Sequence, residues 1–287
     1  MSIVSTLQYM KPVEPILTVE LFPRLSGELL SSLERLSPAD WEKPTACQEW
    51  SVKDVVAHLL GSNIGRLSFG RDKLPHPNTN PPTTFTELVN LIDQENAEWV
   101  KVARRISPNL LVEFLELTDW QVYQYFKTRS PDEPASISVA WAGDQESPNW
   151  FDIAREYTEK WLHQQHIREA VGEPLLIARH WLFPVLDTFM RALPFTYRAM
   201  AMPDGTHIAF HITGEAGGDW SLLRQNGVWV LFWGTASKAV ASVWLDQDLA
   251  WRLFTKGVSP ETSQEKVRIE GDKMLGSGIL HMMSIMA

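Results

Sequence analysis

Glu159 and His163 stand one helical turn apart in the stretch Phe151 to Gly172, FDIAREYTEKWLHQQHIREAVG, and His166 follows three residues later. At about 100° per residue an α-helix sets all three along one flank, while Ile153, Tyr157, Trp161, Ile167 and Val171 make a separate apolar face. A carboxylate and an imidazole at i and i+4 can point at one object. Such a pair suits a divalent metal whose remaining ligands come from another helix. The same pair is also common on exposed helices as a solvated pair, so the metal reading requires a second element. His58 supplies one. It lies in SVKDVVAHLLGSNIGRLSFG, on the border of the apolar face made by Val52, Val55, Val56, Leu59 and Leu60. Alone it reads as a core histidine; opposite Glu159 and His163 it completes a three-ligand set. Three protein ligands leave open positions, the mark of a catalytic rather than a structural ion. Mixed nitrogen and oxygen donors suit zinc, with manganese, iron or nickel admitted by ligand type.

No competing catalytic set is present: the chain has no Walker loop, no G-x-G-x-x-G after a strand, no G-x-S-x-G and no H-E-x-x-H. The single cysteine, Cys47, excludes an internal disulfide and fits a reducing compartment. Its setting, TACQEWS, has no neighbouring Lys, Arg or His to lower a thiol pKa, so Cys47 reads as a structural thiol. Arg155, Arg168, Arg224 and Trp161 are candidates for holding a cofactor or substrate carboxylate; Arg168 and Trp161 are assigned to the cofactor, Arg224 and His166 to catalysis.

These residues need helices to position them. After a loose start bearing Pro12 and Pro15, Thr18 to Leu36 carries leucines at helical spacing up to Ser37-Pro38. Ser51 is a good N-cap for the His58 helix, with Asp54 three residues on. Arg71 to Pro82 is loop, Thr84 to Ile106 a long helix, and Asn109 to Thr128 a less regular helical run that divides near Thr118. Ser130 to Asn149 is a polar connection with a short extended piece at Ile137 to Trp141. Long helices with one crossover describe a four-helix bundle in which His58 faces Glu159 and His163. After Gly172-Glu173-Pro174 the pattern changes. A helix over His180 to Arg198 is followed by strands at Thr206 to Thr213, Asp219 to Arg224, Val228 to Trp233 and Lys238 to Trp244, with Asn226-Gly227 as the clearest hairpin signal. A helix at Asp246 to Thr255, a strand at Lys266 to Glu270 and a terminal helix from Asp272 to Met283 complete the chain. The expectation is an α class domain over 1–174 and a small α+β domain over 175–287.

The chain has 287 residues, 44% of them apolar, which suffices for two cores. A formal net charge of −9 without a basic run argues against nucleic acid and anionic membranes as partners. No basic leader followed by an apolar core is present and no apolar run approaches a membrane span, so a cytoplasmic protein acting on a small molecule, as monomer or homodimer, is expected.

Two segments resemble a known family, the mycothiol-dependent maleylpyruvate isomerases and the wider DinB-like group of metal-dependent thiol enzymes. In CQEWSVKDVVAHLL, Trp50, Val52, Asp54 and His58 follow the family's entry into its second helix; in Arg155 to Gly172, Glu159 and His163 follow its Glu-x-x-x-His. The resemblance implies that His58, Glu159 and His163 bind the metal, most naturally zinc, and that the carboxy-terminal part is a sterol-carrier-like domain behind a DinB-like four-helix bundle. It further implies a low-molecular-weight thiol, mycothiol or an equivalent, activated as thiolate at the open metal position for S-transfer to, or cis-trans isomerisation of, a small electrophile. Many relatives carry Asp three residues after the second histidine, where this chain has His166. That position is open to an outer-shell, ligand or substrate role. Two other functions use the same residues: a non-catalytic metal- or small-molecule-binding stress-response protein, and a metal-assisted hydrolase in which water takes the place of thiol.

Overall fold

In the computed structural model, described over residues 10–47, 49–77, 82–236 and 238–285, the chain forms two compact units. One is helical and comprises Leu17–Ser138 and Ser147–Leu176; the other holds the sheet and comprises the described residues up to Ile16, Val139–Glu146 and the chain from Ile177 on. The first nine residues of the loose start and residues 78–81 of the Pro- and Asn-rich loop lie outside the described residues.

Among the described residues the helical unit has five α-helices: α1 (Phe22–Leu33), α2 (Val52–Gly65), α3 (Phe85–Ala103), α4 (Pro108–Lys127) and α5 (Asn149–Val171). Their ends follow from local chemistry. Ser51 and Asp54 close a reciprocal capping box at the start of α2, Thr84 and Glu87 do the same for α3, Ser107 caps α4, and Gly172 ends α5 in the left-handed region at φ 78°. Past Gly65, α2 widens into a π-helical turn over Arg66–Arg71. α1 and α2 each pack on both α4 and α5, which makes a four-helix bundle, and α3 lies outside it against α2. Trp99 of α3 donates its indole N–H to the Ala57 carbonyl at 2.7 Å, across Gly61, where a Cβ would collide with the ring. The core between these helices includes Leu29, Leu33, Val55, Leu59, Leu111, Leu115 and Ile167.

Several sequence expectations are corrected here. α4 runs unbroken through Thr118, whose hydroxyl donates to the Phe114 carbonyl at 2.7 Å instead of ending the helix. The extended piece expected at Ile137 to Trp141 is a loop ending in a 3₁₀ turn over Ala140–Ala142. The first helix is shorter than Thr18 to Leu36, with a 3₁₀ turn over Val19–Leu21 before α1.

In the sheet unit, α6 (Arg179–Met190) and the short α7 (Leu193–Thr196) replace the single helix expected to Arg198. The six-stranded sheet has the order β1-β4-β3-β2-β5-β6, with β1 Lys11–Pro12, β2 His207–Thr213, β3 Gly218–Gln225, β4 Val228–Trp233, β5 Ala241–Asp246 and β6 Arg268–Gly271. All pairs are antiparallel except β2 with β5. The β3–β4 hairpin turns at Asn226 (φ 52°) and Gly227 (φ 77°), as the sequence predicts. β1 is an addition: two residues read as loose start pair with Phe232 and Trp233. α8 (Gln247–Phe254) packs on β2 and β5, and α9 (Pro260–Gln264) follows; α10 (Lys273–Ser277) passes into a 3₁₀ turn over Gly278–His281, so the terminal helix is shorter than expected. The molecule is therefore of mixed class, helical at the amino end and sheet-bearing at the carboxy end. No helix among the described residues is long and apolar enough to cross a membrane.

Candidate metal centre

α2 and α5 run antiparallel, and a ladder of polar side chains joins them. Arg66 of the π-helical turn donates to Asp152 at 2.6 and 2.9 Å and to Glu156 at 3.0 Å; Ser62 donates to Glu156 at 3.1 Å; His58 meets Glu159 at 3.0 Å. Each step of about one turn back along α2 is a step of about one turn forward along α5, so the buried Arg66 pairs fix the register that brings His58 to Glu159. Arg155 adds a second cation to Asp152 and Glu156 at 3.0 and 3.1 Å. Burial alone would raise both carboxyls, but the charges of Arg66 and Arg155 hold them below the usual range.

At the centre of the site one carboxylate oxygen, Glu159 Oε1, lies 3.0 Å from His58 Nε2 and 3.0 Å from His163 Nε2. The two imidazole rings sit edge to face with centroids 4.7 Å apart. His58, Glu159 and His163 thus offer three donor atoms within 4.8 Å of one another from two helices. Neighbouring ligands of a tetrahedral zinc with bonds of about 2.1 Å stand roughly 3.4 Å apart, so the two edges from Glu159 to the histidines, at 3.0 Å each, lie within a few tenths of an ångström of that spacing. His58 Nδ1 is buried with no hydrogen-bond partner among the described residues, and the ring is held instead by packing against Trp50 at 5.0 Å between centroids.

Electrostatics make the trio a charged pair with a shared acceptor. Burial opposes ionisation of Glu159, yet the His163 and His58 imidazoles hold it well below the carboxylate range. Burial likewise pulls His163 down, but the Glu159 carboxylate and Cys47 outweigh it and push His163 up to about 10.

The sequence neighbours of Cys47 predict a structural thiol, and the fold corrects this. The loop before α2 doubles back, with Thr45 N–H donating to the Trp50 carbonyl at 3.1 Å and the Thr45 hydroxyl donating to the same carbonyl and accepting from Cys47 N–H. Cys47 Sγ consequently lies 3.1 Å from His166 Nδ1 and 3.7 Å from His163 Nδ1. Burial raises the thiol pKa, but the two imidazoles bring it down to about 6. No local signal announces this contact, which joins positions more than a hundred residues apart.

The other candidate residues lie elsewhere. Trp161 and Arg168 project from α5 about 180° away from Glu159. The Trp161 indole is fully buried and donates to the Leu176 carbonyl at 2.9 Å. The Arg168 guanidinium is engaged with Glu28, Glu173, Gln164 and the Pro174 carbonyl. Arg224 belongs to the sheet unit, on β3, with its guanidinium over the Trp229 ring at 5.5 Å.

The family model described as the mycothiol maleylpyruvate isomerase N-terminal domain matches residues 22–168, more than half of the chain, and takes in His58, Glu159 and His163. The chain belongs to that family. Among solved structures it is similar to the mycothiol-dependent maleylpyruvate isomerase, with a TM-score of 0.50, 9% identity, and 82% of this chain and 86% of that one covered. A histidine-to-alanine mutant of the enzyme gives a TM-score of 0.51 at the same identity and coverage. At that identity the likeness of this maleylpyruvate isomerase family member to the solved structures is one of fold. No curated protein matches the chain.

Proposed function

We propose that the protein is a metal-dependent enzyme that uses a low-molecular-weight thiol, mycothiol or an equivalent, on a small electrophile, with cis-trans isomerisation of maleylpyruvate or a similar acid as the reaction. The observation that carries this reading is the convergence of His58 Nε2 and His163 Nε2 on one oxygen of Glu159, at 3.0 Å each, from two helices held in register by buried charge pairs. His58, Glu159 and His163 would hold the ion, zinc by the chemistry of the donors. When bound, the ion supplies positive charge that favours the thiolate form of an added thiol.

The chain's own residues do the rest. Arg66, Asp152 and Glu156 set the spacing of α2 and α5, and Trp50 holds the His58 ring, so the donors are fixed before any ligand arrives. On this reading His166, half-buried and one turn beyond His163, would accept the proton that an incoming thiol gives up. Trp161 and Arg168 act on this reading by fixing α5 from its opposite side, since their donors are already committed.

The test is turnover of maleylpyruvate, followed by ultraviolet absorbance, in protein stripped with a chelator and then restored. Isomerisation that requires both zinc and mycothiol, and that falls by roughly a hundredfold or more in His58→Ala, supports the reading. Equal turnover without added thiol would point to hydrolysis or hydration and overturn it.

A further inference from the structure

Cys47 has no part in the reaction just described, yet it meets the same histidine from its other edge. His163 presents Nε2 to Glu159 at 3.0 Å and Nδ1 to Cys47 Sγ at 3.7 Å, and His166 presents Nδ1 to that sulfur at 3.1 Å. Cys47, His163 and His166 each offer a donor atom within 4.8 Å of those of the other two. One thiolate and two imidazoles are a soft donor set. Around a tetrahedral ion with bonds of about 2.3 Å to sulfur and about 2.0 Å to nitrogen, a sulfur–nitrogen edge spans roughly 3.6 Å. The edge to His163 already has that length. The edge to His166 must open by about half an ångström, within reach of a turn of this half-buried ring about its side-chain torsions. His163 and His166 are i and i+3 on α5, and the loop hydrogen bonds of Thr45 hold Cys47 over them, so the three are positioned by backbone rather than by one another.

We infer that Cys47, His163 and His166 form a second cation position, selective for a thiophilic divalent ion such as zinc, cobalt or cadmium, and that it shares His163 with the first. Binding replaces the thiol proton, which leaves to solvent, by the ion. A neutral imidazole has one lone pair to give while its other nitrogen keeps the proton. The two positions therefore compete for His163: an ion held by Cys47 takes a ligand from His58 and Glu159 and silences the first position. That competition rests on the function proposed above; the Cys47 position by itself does not.

The experiment is a cobalt titration of the reduced, chelator-treated full-length protein, read by the near-ultraviolet thiolate-to-cobalt charge-transfer band. The band is expected in the wild type and in His58→Ala, absent in Cys47→Ser, and shifted to at least tenfold higher cobalt in His166→Ala, with circular dichroism confirming that each variant is folded. Visible cobalt bands without charge transfer in the wild type overturn the second position and leave the functional reading intact. Loss of the charge-transfer band in His58→Ala also overturns it, because the sulfur would then be serving the first position. A normal band in both proteins, with no thiol-dependent turnover by the zinc form, supports the second position and overturns the functional reading instead.

Discussion

At the scale of single residues, the proposed metal role makes a cation and a proton competitors for His163. Without an ion its imidazole is held up to about 10, because burial's downward pull is outweighed by the Glu159 carboxylate and Cys47. A histidine raised in this way contributes stability that is fully present below its ordinary value near 6.5 and is lost as pH rises through about 10. Glu159, held well below its ordinary value, contributes above 4.5 and loses that contribution only as pH falls through its lowered value. An ion at Nε2 must displace the His163 proton, so zinc affinity should climb by roughly tenfold per pH unit from pH ~6.5 to ~9. Competition against a chromophoric chelator at several pH values measures this; an affinity that stays flat over that range would contradict the proton's place on His163. The sequence made His58, Glu159 and His163 legible because two of them share a helix face and the third borders an apolar stripe. It hides Cys47, because the imidazoles that govern its thiol come from α5 and not from its sequence neighbours.

At the scale of elements, α2 and α5 meet through Arg66, Asp152 and Glu156, all buried, before they meet through the centre itself. Arg66→Met would leave Arg155 as the remaining ion-pair partner of two buried carboxylates, beside the Ser62 hydroxyl on Glu156, and removing one partner of a buried pair costs about 3–5 kcal/mol. Urea unfolding at neutral pH should show a loss of that order together with weakened zinc binding. The deficit should shrink on acidification, since both carboxyls are held low and their contribution disappears once they are protonated. A change below about 1 kcal/mol would place Arg66 among surface pairs of little consequence. Helix positions were largely readable from caps and leucine spacing, as Ser51 and Thr84 show. The false division at Thr118 arose from apolar residues on the solvent side of α4, where Leu117 and Trp120 are more than half exposed and blur the helical period. β1 was unreadable for a different reason: two residues with a proline carry no alternation, and only the edge of β4 makes them a strand.

At the scale of the whole molecule, the chain visits the sheet unit before it is done with the helical one. Val139–Glu146 lies between α4 and α5 in sequence but belongs to the sheet unit, where Gly143, at φ 87°, accepts the Phe195 ring in space that a Cβ would fill. Polar, Pro-bearing composition suggested a mere connection there, since nothing local marks a contact with a partner fifty residues on. Every donor of the candidate metal centre, by contrast, lies within the helical unit. The most direct measurement is calorimetric zinc titration of full-length Cys47→Ser, which keeps only the first position, beside Cys47→Ser/His58→Ala. The expected result is stoichiometric zinc in the single variant and none in the double. Absence of zinc binding in folded Cys47→Ser would contradict the assignment of His58, Glu159 and His163 as the metal centre.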